Sequence, residues 1–196
     1  LIKLAERDPL TNLYNRRRFH EEIERIIADA SRRKAHAGLL AIDLDGFKPI
    51  NDEYGHQAGD TVLIRLAEEV GATVRRNEIF FRVGGDEFAI LAPDADEEEM
   101  VGLARRVGGK ISDMRFVFAG RDVQLTASLG IALSADPDQN VEELIRDADA
   151  AMYRAKEAGG GRVVFFEERM NREVHQRVTV ERELRRAIER DEFVLY

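Results

Sequence analysis

The stretch FRVGGDEFAIL, residues 81–91, constrains the fold more than any other part of the chain. Two apolar runs that suit buried strands meet at Gly84, Gly85, Asp86 and Glu87, so the chain reverses there and builds an antiparallel pair. A hairpin needs a turn, but it does not need two adjacent acids at its tip. Reading Asp86 and Glu87 as solvated turn residues explains the glycines and leaves the acids without a purpose. Glycine at such a point also lets another backbone or a ligand come close.

Around this hairpin, helical and extended patterns alternate. Asp8-Pro9 ends an incoming helix over residues 1–7, because the residue before proline avoids helical geometry. Residues 16–33 carry Phe19, Ile23, Ile26 and Ile27 at helical spacing. GLLAIDL, residues 38–44, reads as a buried strand that runs into Asp43 and Asp45, with Ala41 and Asp43 on one face. GFKPINDEYGHQAGD reads as a polar connection. Asp60 is placed to cap the next helix, with Val62, Leu63, Leu66, Val70 and Val74 as its buried stripe.

Residues 94–113 form a further amphipathic helix, and VFAGRDVQLTASLGIAL supplies two strands around Gly120-Arg121-Asp122. A helix over 141–158 stops at Gly159-Gly160-Gly161, and VVFF is a last short strand. The predicted class is α+β, with helices packed on a central, mainly antiparallel sheet. Beyond Glu167 the mixed-charge pattern, with Val178, Val180, Leu184 and Ile188 among acids and bases, reads as a helical linker.

A chain of 196 residues, 44% hydrophobic and with 4 prolines, suits one globular domain with flanking sequence. The absence of cysteine excludes disulfides, thiolate metal sites and cysteine nucleophiles, so any metal is held by oxygen or histidine. A formal charge of −8, from 38 acids against 30 bases, argues against a duplex-binding surface, and no nucleic-acid partner is expected. No apolar run approaches the roughly 20 residues of a membrane helix, so no membrane contact by this stretch and a cytoplasmic location are expected. The start at Leu1 implies a piece of a longer protein, whose N-terminal region has room for a sensor or membrane anchor.

If the strand ending in Asp43 neighbours the one that follows Asp86 and Glu87, three carboxylates converge, with Arg82 at hand to balance their charge. Hard oxygen ligands with open positions are what Mg²⁺ accepts, and paired ions activate a hydroxyl while neutralising a triphosphate. The chemistry so described is metal-dependent phosphoryl or nucleotidyl transfer.

RVGGDEF, preceded by DPLTNLYNRRRF and DLDGFKPINDEYGHQAGD and followed by SLGIAL and DAAMYRAKEAGGGR, resembles the GGDEF family of diguanylate cyclases, colinearly over residues 8–166. The resemblance implies a palm-like fold akin to class III nucleotide cyclases, and condensation of two GTP into cyclic di-GMP with release of two pyrophosphates. It implies a homodimer, since each subunit holds one GTP, and Mg²⁺ or Mn²⁺ bound by Asp43, the Leu44 carbonyl and Asp86. Asp86, assisted by Glu87, would deprotonate the attacking 3′-hydroxyl, and Gly84 and Gly85 would let the chain lie against the nucleotide.

Asn51 and Asp60 match the guanine-reading pair, as amide and carboxylate oxygens that accept from guanine's N1–H and N2–H₂. Lys48 and Lys156 match phosphate-contacting lysines. His56 reads as a loop hydrogen-bonder, and Arg16 and Arg17 as helix-start salt bridges. Two positions depart from the pattern. Gly160 stands where the family commonly has a phosphate-binding arginine, and the product-inhibition motif RxxD reads Arg75-Arg76-Asn77-Glu78, so inhibition by cyclic di-GMP through Arg75 and Glu78 is expected to be weakened. The plain alternative makes these residues a solvated helix end.

The segment 167–196 resembles the linker and first strand leading into an EAL phosphodiesterase domain, which implies a covalently attached EAL partner. Two other functions stay open at this point: a catalytically idle GTP-binding module that regulates such a domain, and a pure interaction domain, which the intact Asp43, Asp86 and Glu87 disfavour.

Overall fold

The computed structural model describes residues 6–134 and 140–167. Contacts divide the chain into a unit Leu1–Phe166 and a second unit, Glu167–Tyr196, so the expected linker and following domain lie outside the described residues apart from Glu167. Glu6 already lies in a turn and Arg7 bridges to Tyr14, so the expected incoming helix does not reach either residue.

The central sheet has five strands in the order β2-β3-β1-β6-β7: β1 Ala37–Asp45, β2 Ile79–Arg82, β3 Glu87–Pro93, β6 Thr126–Leu133 and β7 Val163–Phe165. All pairings are antiparallel except β6 with β7, which is parallel. β4 Phe116–Phe118 and β5 Arg121–Val123 form a separate two-stranded ribbon. Where two strands were expected there are therefore three, and the turn falls at Ala119-Gly120, both with positive φ, which leaves Arg121 and Asp122 inside β5.

Helices cover both faces of the sheet. α1 Arg16–Arg33 and α5 Val141–Glu157 bury Phe19, Ile23, Leu144 and Ala148 against Leu39, Ala41, Ala89 and Leu91. On the other face α2 Phe47–Tyr54, α3 His56–Gly71 and α4 Glu97–Asp113 pack against Leu40, Ile42, Phe88 and Ile90. Burial on both sides explains why β1 reads as a continuous apolar run rather than an alternation. Local signals set the helix ends. Asn15 caps α1 by accepting from the Arg18 amide at 3.1 Å, and α4 and α5 open with capping boxes, Asp96 with Glu99 and Asn140 with Glu143.

The stretch read as a polar connection after β1 is instead helical. α2 buries Phe47 and Ile50, three residues apart, and Gly55 at φ 84 separates it from α3. α3 therefore starts at His56, so His56 opens a helix and Asp60 sits inside it rather than at its cap. The helix stops at Gly71, short of Val74. Glycine also decides how closely α5 approaches the sheet: a Cβ at Gly130 of β6 would collide with Ala148 O and Met152 N of the α5 backbone. That close approach carries the end of α5 to the end of β1.

Candidate active site

The β1–β3 register places Asp43 directly opposite Glu87, and one step further the Leu44 amide donates to the Asp86 carbonyl at 3.3 Å. The end of a buried strand and the acidic turn are thus neighbours, as the sequence implies. Asp43 is only 4% exposed, whereas Glu87 is exposed and Asp86 half-buried. Burial raises the Asp43 carboxyl above its ordinary range, Lys156 opposes this, and the charges of Asp86 and Glu87 add to the rise.

Lys156, at the end of α5, sets its Nζ 2.7 Å from Asp43 Oδ2. The expected phosphate-contacting lysine therefore neutralises the expected metal ligand here. The expected cluster of three carboxylates does not close into a cage. Among the described residues no three His, Cys, Asp or Glu side chains gather closely enough to hold an ion by themselves. Like charges at the tip repel, and Lys156 takes the most buried one. Two carboxylates and the Leu44 carbonyl still fit Mg²⁺, which commonly takes one or two protein carboxylates and completes its shell with water and substrate phosphate.

Arg82 does not balance these acids. Its guanidinium pairs with Asp8 at 2.9 Å and donates to the carbonyls of Gly84 and Gly85, so it holds the turn's backbone and ties it to the DPLT segment. Glu87 folds back over Gly84, where a Cβ would lie 2.5 Å from Glu87 Oε2, while a Cβ at Gly85 would meet open space.

Asn51 and Asp60 lie on adjacent helices. The Asn51 amide rests on Gly59, the residue before Asp60, so closely that a Cβ there would collide with Asn51 Oδ1 and Cγ. Lys48 is exposed on α2. Arg17 makes the expected helix-start pair, with Glu21 at 3.6 Å.

Arg75 is exposed as expected, but neither residue is a helix end and the Glu78 side chain is not solvated. They lie in the turn between α3 and β2, and the Glu78 side chain is 6% exposed. Both its oxygens receive Arg106 Nη2 of α4, at 2.8 and 2.9 Å, and Oε2 also accepts from the Arg75 amide at 2.6 Å.

Two acids near the site were not singled out as site residues. Asp149, exposed on α5, is pushed up to about 6, by desolvation of its carboxyl first and then by Glu87, against the pull of Arg16. Asp45 accepts from Thr126 Oγ1, Ser128 Oγ and the Gly161 amide at 2.8, 2.7 and 2.8 Å. A clue to Asp45 was its place two residues after Asp43. Nothing local marks Asp149, whose neighbours come from α1 and β3.

These features define an α+β domain in which acids gather where two central strands end. The diguanylate cyclase GGDEF domain family matches residues 5–162, and the chain belongs to that family. It is 39% identical over its full length to the bifunctional diguanylate cyclase/cyclic di-GMP phosphodiesterase MucR of Pseudomonas aeruginosa, spanning 28% of that protein. It is 39% identical over 158 residues, 80% of this chain, to the diguanylate cyclase DosC of Escherichia coli, of which the match covers 34%. The cyclic di-GMP phosphodiesterase PdeR of E. coli is 34% identical over 193 residues, 98% of this chain and 29% of PdeR. Among solved structures, the coiled coil and GGDEF domain of DgcB from Caulobacter crescentus, in complex with c-di-GMP, superposes with a TM-score of 0.79 at 29% identity, covering 84% of this chain and 87% of that one. No helix among the described residues is long and apolar enough to cross a membrane.

Proposed function

We propose that this domain is an active diguanylate cyclase that condenses two GTP into cyclic di-GMP, one GTP being held by each of two facing copies. The observation that carries this reading is the register that sets Asp43 opposite Glu87 and joins Leu44 to Asp86. In each of two displacements a 3′-hydroxyl oxygen attacks the α-phosphorus of the facing GTP, the bond to the β-phosphate breaks, and pyrophosphate leaves. Asp86, with Glu87 beside it, accepts the hydroxyl proton. Mg²⁺ or Mn²⁺ held by Asp43, Asp86 and the Leu44 carbonyl would neutralise the triphosphate and acidify the hydroxyl.

Asn51 and Asp60 accept from the guanine edge, which adenine cannot supply. Lys48 binds phosphate, and Lys156 shares its charge between phosphate and Asp43. One site per chain makes a monomer able to bind but unable to close the ring, so two copies are needed. Dependence on GTP is consistent with a cytoplasmic domain. Asp86→Asn tests the assignment: turnover should fall by at least about 100-fold with the fold intact, and retained turnover would remove Asp86 from the chemistry.

A second reading makes the domain an idle GTP-binding module controlling an attached EAL phosphodiesterase domain. Gly160, in place of the family's phosphate-binding arginine, and the likeness to PdeR favour it. It predicts GTP binding without cyclic di-GMP.

A further inference from the structure

Asp45 ends β1 with both oxygens of its carboxylate engaged. Thr126 and Ser128 of β6 donate their hydroxyls to it, and the Gly161 amide donates from the turn after α5. Gly160, at φ +73, packs so closely that a Cβ there would stand 2.8 to 2.9 Å from the Asp45 carboxylate atoms. The same turn is the C-terminal stop of α5: the Gly159 amide donates to Lys156 O at 3.0 Å and the Gly160 amide to Ala155 O at 3.0 Å. Lys156 then reaches back to Asp43 at 2.7 Å. Asp45, two sheet hydroxyls and a glycine turn thus make a clasp that closes the end of α5 onto the end of β1.

From this geometry we infer that Asp45 is a positioning residue for the reaction proposed above: it fixes the 159–161 turn and through it sets Lys156 against Asp43. The inference rests on that reading for its catalytic part. It also accounts for Gly160, because a side chain at that position would meet the carboxylate that holds the turn. A cation at 160 and this clasp compete for one place, and this chain has the clasp.

Asp45→Asn keeps the size of the side chain but loses its charge and offers one acceptor oxygen where the carboxylate offers two. Its NH₂ group obliges Ser128 to accept instead of donate, and its neutral oxygen holds the Gly161 amide more weakly than a carboxylate oxygen does. In metal-free, nucleotide-free protein, amide exchange at Gly160 and Gly161 should quicken by about tenfold, while amides of β1 and β3 stay protected. Thr126→Val, which removes a single donor, should act in the same direction with a smaller change and serves if Asp45→Asn does not fold. With GTP and metal, Asp45→Asn should lower kcat by about tenfold, and combined with Lys156→Met it should be no slower than Lys156→Met alone.

Unchanged exchange at Gly161 in both variants would overturn the clasp, and independent, multiplicative effects of Asp45→Asn and Lys156→Met on kcat would overturn its action through the lysine. If the wild type makes no cyclic di-GMP while the exchange effect is present, the clasp stands and the cyclase reading alone falls.

Discussion

Lys156 of α5 and Asp43 of β1 form an ion pair of 2.7 Å at the point where a helix end and a strand end meet. Asp43 is buried and the Lys156 side chain is 41% exposed, so the aspartate is the member that depends on the pair. Lys156→Met should destabilise the metal-free protein by about 1–3 kcal/mol, less than for a fully buried pair because solvent reaches the site. Asp43 is already raised by burial, and loss of the lysine raises it further. The deficit should be largest near neutral pH and shrink as acid protonates Asp43, and millimolar Mg²⁺ should restore part of it. Thermal unfolding with and without Mg²⁺ at two pH values checks this, and a deficit that does not change with pH or metal would contradict it.

Gly59 leaves the space that the Asn51 amide occupies against α3. Gly59→Ala should displace that amide and weaken GTP binding about tenfold or more, with a smaller effect on inosine triphosphate, which lacks guanine's N2–H₂ donors. Calorimetric titration of both nucleotides reads the difference. Equal loss for the two would mean that the glycine serves only helix packing.

Glu78 is held through both oxygens by Arg106. A cyclic di-GMP molecule bound at Arg75 and Glu78 must first take that carboxylate from its partner, which deepens the sequence-based expectation of weak inhibition. Removing the partner, Arg106→Ala, should cost about 1–3 kcal/mol of stability, since it leaves a buried acid with the Arg75 amide as its remaining donor. Glu78→Asp, shorter by one methylene, should bind cyclic di-GMP several-fold more tightly than the wild type. Absence of binding by either protein in calorimetry would remove the inhibitory site.

Desolvation and Glu87 disfavour the charge of Asp149 and push its carboxyl up to about 6, and because the residue is exposed on α5 solvent screens part of that effect. A carboxyl raised on folding binds its proton more tightly in the folded state, so it favours folding below pH 4 and loses that advantage as pH rises through 6. Asp149→Asn should therefore raise the unfolding temperature relative to wild type at pH 7.5, with the gain vanishing near pH 4. A gain independent of pH would assign the effect to something other than ionisation.

The acidic turn was the most legible part of the chain, because the hairpin and the run into Asp43 are local patterns whose neighbouring positions the register supplies. α2 was not legible: eight residues with two buried side chains and flanking glycines look like a loop until the sheet is there to bury Phe47 and Ile50. Asp60 matched a helix cap by residue type alone, and only the start of α3 at His56 corrects that. The long-range partners of Lys156, Arg82, Glu78 and Asp45 lie on other elements, so that part of their pairing is a property of packing that residue spacing cannot carry. Lys156 is the clearest instance, since its helix gives no sign that its charge is spent on Asp43.

The proposed reaction joins two GTP across two copies of this site. The most direct measurement is incubation of the chain, dimerised through its N-terminus, with GTP and Mg²⁺, followed by nucleotide chromatography and a pyrophosphate assay. Cyclic di-GMP with two pyrophosphates released per product, lost in Asp86→Asn, is the predicted result. GTP bound and recovered unchanged by the dimerised wild type would contradict the cyclase account and leave the regulatory one.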